Sequence, residues 1–137
     1  MAERRTLRSA DGERGSAVVD FVLVSLLIVA LLLAVLQVAV YAHVRNVVTA
    51  SAQEGARYAA NADVDSSFGA VRTVEIVGRA TSEQTASGLS CTSVEEPDPT
   101  GLTLVVVRCS GSVPALLASL GNLLPLEVTG RALKEGA

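Results

Sequence analysis

The 137-residue chain carries 11 basic and 14 acidic residues for a formal net charge of -3, and 50% of it is apolar. That apolar share excludes disorder throughout, and the mild acidity excludes the basic stripe a nucleic-acid binder presents. With one histidine, His43, and two distant cysteines, Cys91 and Cys109, no mononuclear metal set is expected, which leaves a small membrane or exported protein.

Residues 1–15, MAERRTLRSADGERG, are polar, with Arg4, Arg5, Arg8 and Arg14 set against Glu3, Asp11 and Glu13. The composition then changes abruptly. Phe21 to Val44 reads FVLVSLLIVALLLAVLQVAVYAHV, interrupted only by Ser25, Gln37 and His43. As a helix this run rises about 36 Å, enough to cross a hydrocarbon core about 30 Å thick with some tilt. Four arginines lie close before the span, against Arg45 and Arg57 close after it, so the positive-inside rule places the N-terminus in the cytoplasm. The remainder is then extracytoplasmic, with Tyr41 near the outer interface. A rival signal is Val40-Tyr41-Ala42, a small-residue pattern a secretory signal peptidase accepts, but the apolar run is about twice an ordinary signal core of 7 to 15 residues.

Nothing stops the helix where the hydrocarbon ends. No Pro occurs between Ser16 and Asn61 and the only Gly there is Gly55, so one helix is expected over 16–62, in the membrane from about 21 to 44. Beyond Val44 it becomes amphipathic. Asn46, Gln53, Arg57 and Asn61 share a polar face, while Val44, Val48, Ala52, Gly55, Ala59 and Ala62 share a face of small residues that lets another backbone come close. Glu54 and Arg57 stand one turn apart and can pair.

Asn61 to Asp65 supplies a stop and new caps. A second helix is expected from Ser66 to about Ser82, on the spacing of Phe68, Val71, Val74 and Val77, with Gly88 as a breaker. Ser90–Val94 and Leu102–Ser110 read as strands around the turn-forming EEPDPTG, a leucine-rich helix is expected from Pro114 through Leu120, and a third strand over Leu126–Leu133. Cys91 and Cys109 are equidistant from Thr100 inside the turn, as a cross-hairpin disulfide requires; two buried free thiols are the alternative. The fold class is therefore α+β: a long transmembrane helix continuing into a small extracytoplasmic domain, 63–137, with a second helix and a short antiparallel sheet.

The membrane junction is Glu13-Arg14-Gly15-Ser16-Ala17-Val18-Val19-Asp20-Phe21. A basic leader, a Gly, then an acid and an aromatic at the fifth and sixth positions after it resemble the processing site of type IV prepilins, whose peptidase cuts after the Gly. More specifically, the span followed by ASAQEGARYAANAD resembles the TadE-like family of tight-adherence pilus systems, in which a membrane helix runs into A-x-x-GAR-x-A, matched by Gly55, Ala56, Arg57 and Ala59. The family usually has Glu where this chain has Asp20. The resemblance covers residues 13 to 62. It implies removal of the leader 1–15 by cleavage between Gly15 and Ser16, and a role for Asp20 and Phe21 in assembly. An amine freed on Ser16, cationic at neutral pH, would pair with Asp20 of its own or a neighbouring chain. Alternatively, Asp20 simply complements the positive start of the helix.

The resulting expectation is a non-catalytic minor pilin or pseudopilin that assembles a surface filament. Its partners would be the membrane, a prepilin peptidase, other pilus subunits and the assembly platform, with no cofactor, metal, nucleic acid or small-molecule substrate. His43 is expected at the membrane interface, with no acid and nucleophile arranged around it as a triad requires. Two further readings remain: a single-pass membrane protein whose outer domain binds a ligand or regulates a partner, and a secreted protein cut after Ala42.

Overall fold

The computed structural model describes residues 10–113 and 124–136; the leucine-rich helix expected from Pro114 lies outside them. Among the described residues the order is α1 (Ala10–Ala60), α2 (Phe68–Ala80), α3 (Glu83–Ser87), β1 (Ser90–Pro97), β2 (Thr103–Val113) and β3 (Leu124–Leu133). The chain divides into two compact units, Met1–Leu36 and Gln37–Ala137.

In the first unit the helix starts at Ala10, inside the expected leader, because the stretch before Ser16 contains no Pro and places Glu13 near the positive helix start. Val18, Phe21, Leu26 and Val35 are all more than half exposed. A helix apolar on every side has no stripe to turn toward water, so it belongs in hydrocarbon or inside a larger core. The helix is long and apolar enough to cross a membrane, consistent with single-pass anchoring.

The second unit is built on the last turns of α1. Ser51, Ala52, Gly55, Ala56, Ala59 and Ala60 are buried there, while Gln53, Glu54, Arg57 and Tyr58 stay exposed. The buried face is wider than the expected stripe because two elements pack on it. A Cβ on Gly55 would collide with the Thr73 hydroxyl and come within 2.5 Å of the Gly69 carbonyl oxygen on α2. A Cβ on Gly130 of β3 would strike the Ala52 backbone and lie 2.6 Å from the Gln53 nitrogen. The small residues thus admit this chain's own helix and strand. Ala62, expected on the same stripe, lies past the helix end and is exposed.

Helix α1 ends at Ala60, where its free carbonyls find a partner from the far end of the chain. The Lys134 ammonium donates to the carbonyl oxygens of Ala59 (2.9 Å), Asn61 (3.0 Å) and Val64 (2.6 Å), and the Glu135 amide to that of Ala60 (2.8 Å). The Asp65 carboxylate then accepts from the Ser67 amide at 2.8 Å and its hydroxyl at 2.6 Å, which holds its pKa below the ordinary value. The second helix is shorter than expected, and a separate turn, α3, follows it. Thr81 leaves helical geometry, and Ser82 takes over as N-cap, accepting from the Thr85 amide at 3.1 Å. Gly88 closes α3 in the breaker role.

The sheet is an antiparallel meander in the order β1-β2-β3, and all three strands run longer than expected. Its first hairpin pairs Pro97 with Thr103, so the turn centres on Thr100; Gly101 takes φ 87°, a left-handed conformation that favours glycine. Alternation sends Val105, Val107 and Cys109 of β2 toward the helices. Val107, Cys109, Val113, Leu126 and Val128 join Val44, Val48, Ala52, Ala56, Val77 and Ala86 in one core without an aromatic side chain. Burying each valine contributes about 1.5 to 3 kcal/mol. On the other face Arg108 bonds Glu96 at 2.6 Å, which raises the guanidinium pKa and lowers that of the carboxyl. The lowered carboxyl pKa makes this pair's contribution present above the ordinary carboxylate range and lost as pH falls through the folded value. The expected Glu54–Arg57 pair is not formed; among the described residues the ion pairs join Arg72 and Arg79 to Glu75, and Arg108 to Glu96.

The contact of Gly130 with backbone leaves no flexible atom to yield. Gly130→Ala should therefore force β3 away from α1 and cost about 1 to 3 kcal/mol, read as a lower denaturant midpoint. An unchanged midpoint would show that the strand can stand further off.

Candidate functional site

Gly15, Ser16, Asp20 and Phe21 all lie on α1 in the first unit. Ser16 and Asp20 are four residues apart, hence on one helix face. Both are exposed, and Phe21 is 73% exposed. A Cβ placed on Gly15 meets nothing within 4 Å, and the same holds for Gly12. Neither glycine is needed for packing, and each weakens the helix by about 1 kcal/mol relative to Ala. The bond between Gly15 and Ser16 therefore sits in an exposed segment of α1.

Gly55, Ala56 and Arg57 divide between two roles in the second unit. Gly55 and Ala56 are buried, with Ala56 fully so, while Arg57 faces solvent. Gly55 makes room for α2, and Ala56 belongs to the core. Thr73, itself fully buried, donates its hydroxyl to the Gly69 carbonyl at 2.7 Å, with the Ser51 carbonyl at 3.4 Å. Gly69 closes the same junction, since a Cβ there would lie 3.2 Å from that of Ala59 and 2.9 Å from a Val107 methyl. Gly55 of the motif thus sets how closely the second helix approaches the first.

Cys91 and Cys109 form a disulfide across directly paired positions of β1 and β2, with their Cα atoms 4.1 Å apart. Cys109 is 1% exposed and belongs to the core, so the bridge is partly shielded by the sheet it closes. Such a bond persists in oxidising compartments.

Tyr41 has a more specific partner than a lipid interface. Its hydroxyl donates to the Pro125 carbonyl of β3 at 3.1 Å, and Val40, Tyr41 and Val44 pack on the core. The sequence singles out neither Gly69, Thr73 nor Gly130; Gln53, expected on the polar face, accepts with its side-chain oxygen from the Arg131 amide at 3.3 Å on the outer edge of β3. A glycine inside a strand signals close backbone approach, so Gly130 carried a usable sign. The others depend on which elements meet.

Fold and site together define a class: a protein with, among the described residues, one membrane-length helix and a small disulfide-closed α+β unit. Residues 15–57 match the model of TadE-like proteins, and this stretch is a TadE-like family domain. That family is pilin-like and non-catalytic, and membership of the domain implies a protein associated with a tight-adherence pilus. No curated protein and no solved structure matches the chain.

The disulfide closes a loop with a sequence separation of 18. Protein isolated without reductant should resist alkylation at both cysteines, and replacing both by Ser should cost about 2 to 4 kcal/mol. Two freely labelled thiols in native protein would refute the bridge.

Proposed function

We propose that this protein is a minor pilin or pseudopilin of a tight-adherence pilus. It is made with a cytoplasmic leader, residues 1–15, which a prepilin peptidase removes between Gly15 and Ser16. One helix anchors the mature chain, and the remainder lies outside the cytoplasm, where it joins other pilus subunits and the assembly platform without catalysing a reaction. The observation that carries this reading is the TadE-like match over 15–57, whose first residue is the glycine of the junction. The arginine-rich leader supports the orientation, because basic residues close to a span are retained on the cytoplasmic side. The disulfide suits an oxidising exterior.

Processing is tested at Gly15. Ala there meets open space and strengthens the helix, so a cleavage defect in Gly15→Ala reports on the peptidase and not on folding. The expected result is retention of the leader, seen as a larger mass, against a wild-type N-terminus at Ser16. A wild-type N-terminus at Met1, with the variant migrating identically, would overturn the processing step.

Assembly is tested separately at Asp20. Asp20→Asn keeps the size of the side chain and removes the charge that pairs with a freed Ser16 amine. Stripping one partner from a buried charge pair costs about 3 to 5 kcal/mol, and less near an interface. Even about 1.4 kcal/mol reduces incorporation tenfold. The variant should be cut normally yet co-purify poorly with other pilus components, whereas Asp20→Glu, the family's usual residue, should behave as wild type. Normal co-purification of Asp20→Asn would reduce Asp20 to a helix-start acid.

A further inference from the structure

We infer that the Cys91–Cys109 bridge opens and closes through Cys91 and not through Cys109. A soluble thiolate seated between α2 and the edge of β1 forms a mixed disulfide with Cys91 and releases Cys109. The inference rests on the bridge and is independent of the pilus reading.

The strand order decides which sulfur can be reached. A thiolate displaces one sulfur of a disulfide from the other by approaching along the line of their bond. Cys91 and Cys109 occupy directly paired positions, so that line runs across the strands. Among the described residues β1 is an edge strand, and the line prolonged past Cys91 leaves the sheet there. Prolonged past Cys109, it runs beneath β3, where the partner of Cys109 is the buried Val128. Cys109 is buried in the core, whereas Cys91 packs against that core only partly buried. An approach to Cys109 has to displace the interior, and an approach to Cys91 does not.

The space beside Cys91 is open. Ala70, Val71 and Val74 of α2 face Leu89, Ser90 and Cys91 across a groove of about 460 Å³. Small-molecule sites occupy about 300 to 1,000 Å³, so a thiol of peptide size has room. These six residues carry no charge, and Val71 is 63% exposed at the side open to solvent. In the exchange, the incoming sulfur bonds to Cys91 Sγ as the Sγ–Sγ bond breaks. The electron pair departs on Cys109 Sγ, which takes a proton from solvent. The incoming sulfur is oxidised and Cys109 is reduced, so no further oxidant takes part. In reverse, the Cys109 thiolate, held opposite Cys91 by the strand pairing, expels the thiol and closes the bridge.

The test uses the full-length protein in detergent, with reduced glutathione as the thiol. After partial reaction, acid stops the exchange by protonating thiolates, and the protein is unfolded in N-ethylmaleimide. Trypsin cuts after Arg108 and puts the two cysteines on separate peptides, so their masses show which sulfur carries glutathione. The expected result is about tenfold or more glutathione on Cys91 over Cys109, with maleimide on Cys109. An even split, an excess on Cys109, or no mixed disulfide at either sulfur would overturn the proposal. In urea-unfolded protein the preference should vanish; its persistence would assign it to local sequence and overturn the role of the fold. Val71→Trp keeps both cysteines and narrows the groove from its exposed side, so it should slow the reaction at Cys91 several-fold. An undiminished rate in that variant would overturn the groove as the route.

Discussion

Gly55 of α1 faces the Gly69 carbonyl and Thr73 hydroxyl of α2 with no room for a Cβ between them, and Gly130 of β3 approaches the Ala52 backbone as closely. These two approaches bring a helix and a strand onto one face of α1, and the core forms where they converge. Because the elements stand so near, small side chains suffice to fill the interior: Val48, Val77, Val107 and Val113 are fully buried, and no aromatic ring is needed among them. A core of valine and alanine buries modest area per residue, which gives the Cys91–Cys109 bridge and the Lys134 contacts a large share of the work of holding the unit closed.

One helix meets two surroundings, and its residues change accordingly. Before Gln37 the apolar residues show no preferred face, which is consistent with single-pass membrane anchoring. After it, buried and exposed positions alternate at helical spacing, because one side meets the sheet and the other meets water. The TadE-like match spans both regimes and ends at Arg57, the exposed member of the Gly55-Ala56-Arg57 motif. The family pattern therefore covers both the all-round apolar helix and the packing surface on which the second unit is built.

Much of this is legible in the sequence, for physical reasons. Long apolar runs and valine-dense strands are local signals, and the cysteine pairing followed from a turn whose centre the prolines and glycine reveal. The small-residue face was legible too, but its occupant was not: composition says that a backbone can come close without saying which one. Lys134 caps a helix more than seventy residues away in sequence, so no window along the chain contains both partners. Tyr41 read as an interfacial ring because its neighbours are apolar; its bond to Pro125 depends on where β3 starts. The short α3 has a local sign, Ser82 followed by Glu83 and Thr85, but it adjoins the longer periodic run that masks it.

A load applied along the backbone meets the Cys91–Cys109 bond, which shapes the response. Pulling the two ends of the chain apart would strip β3 and peel α2 from α1, but the residues enclosed by the bridge could not straighten. With a sequence separation of 18, they withhold roughly 60 Å of extension. Tension would then pass across sulfur at the junction of β1 and β2, sparing the turn around Thr100 from stretching. The hairpin becomes the inextensible part of a unit whose other contacts yield one at a time.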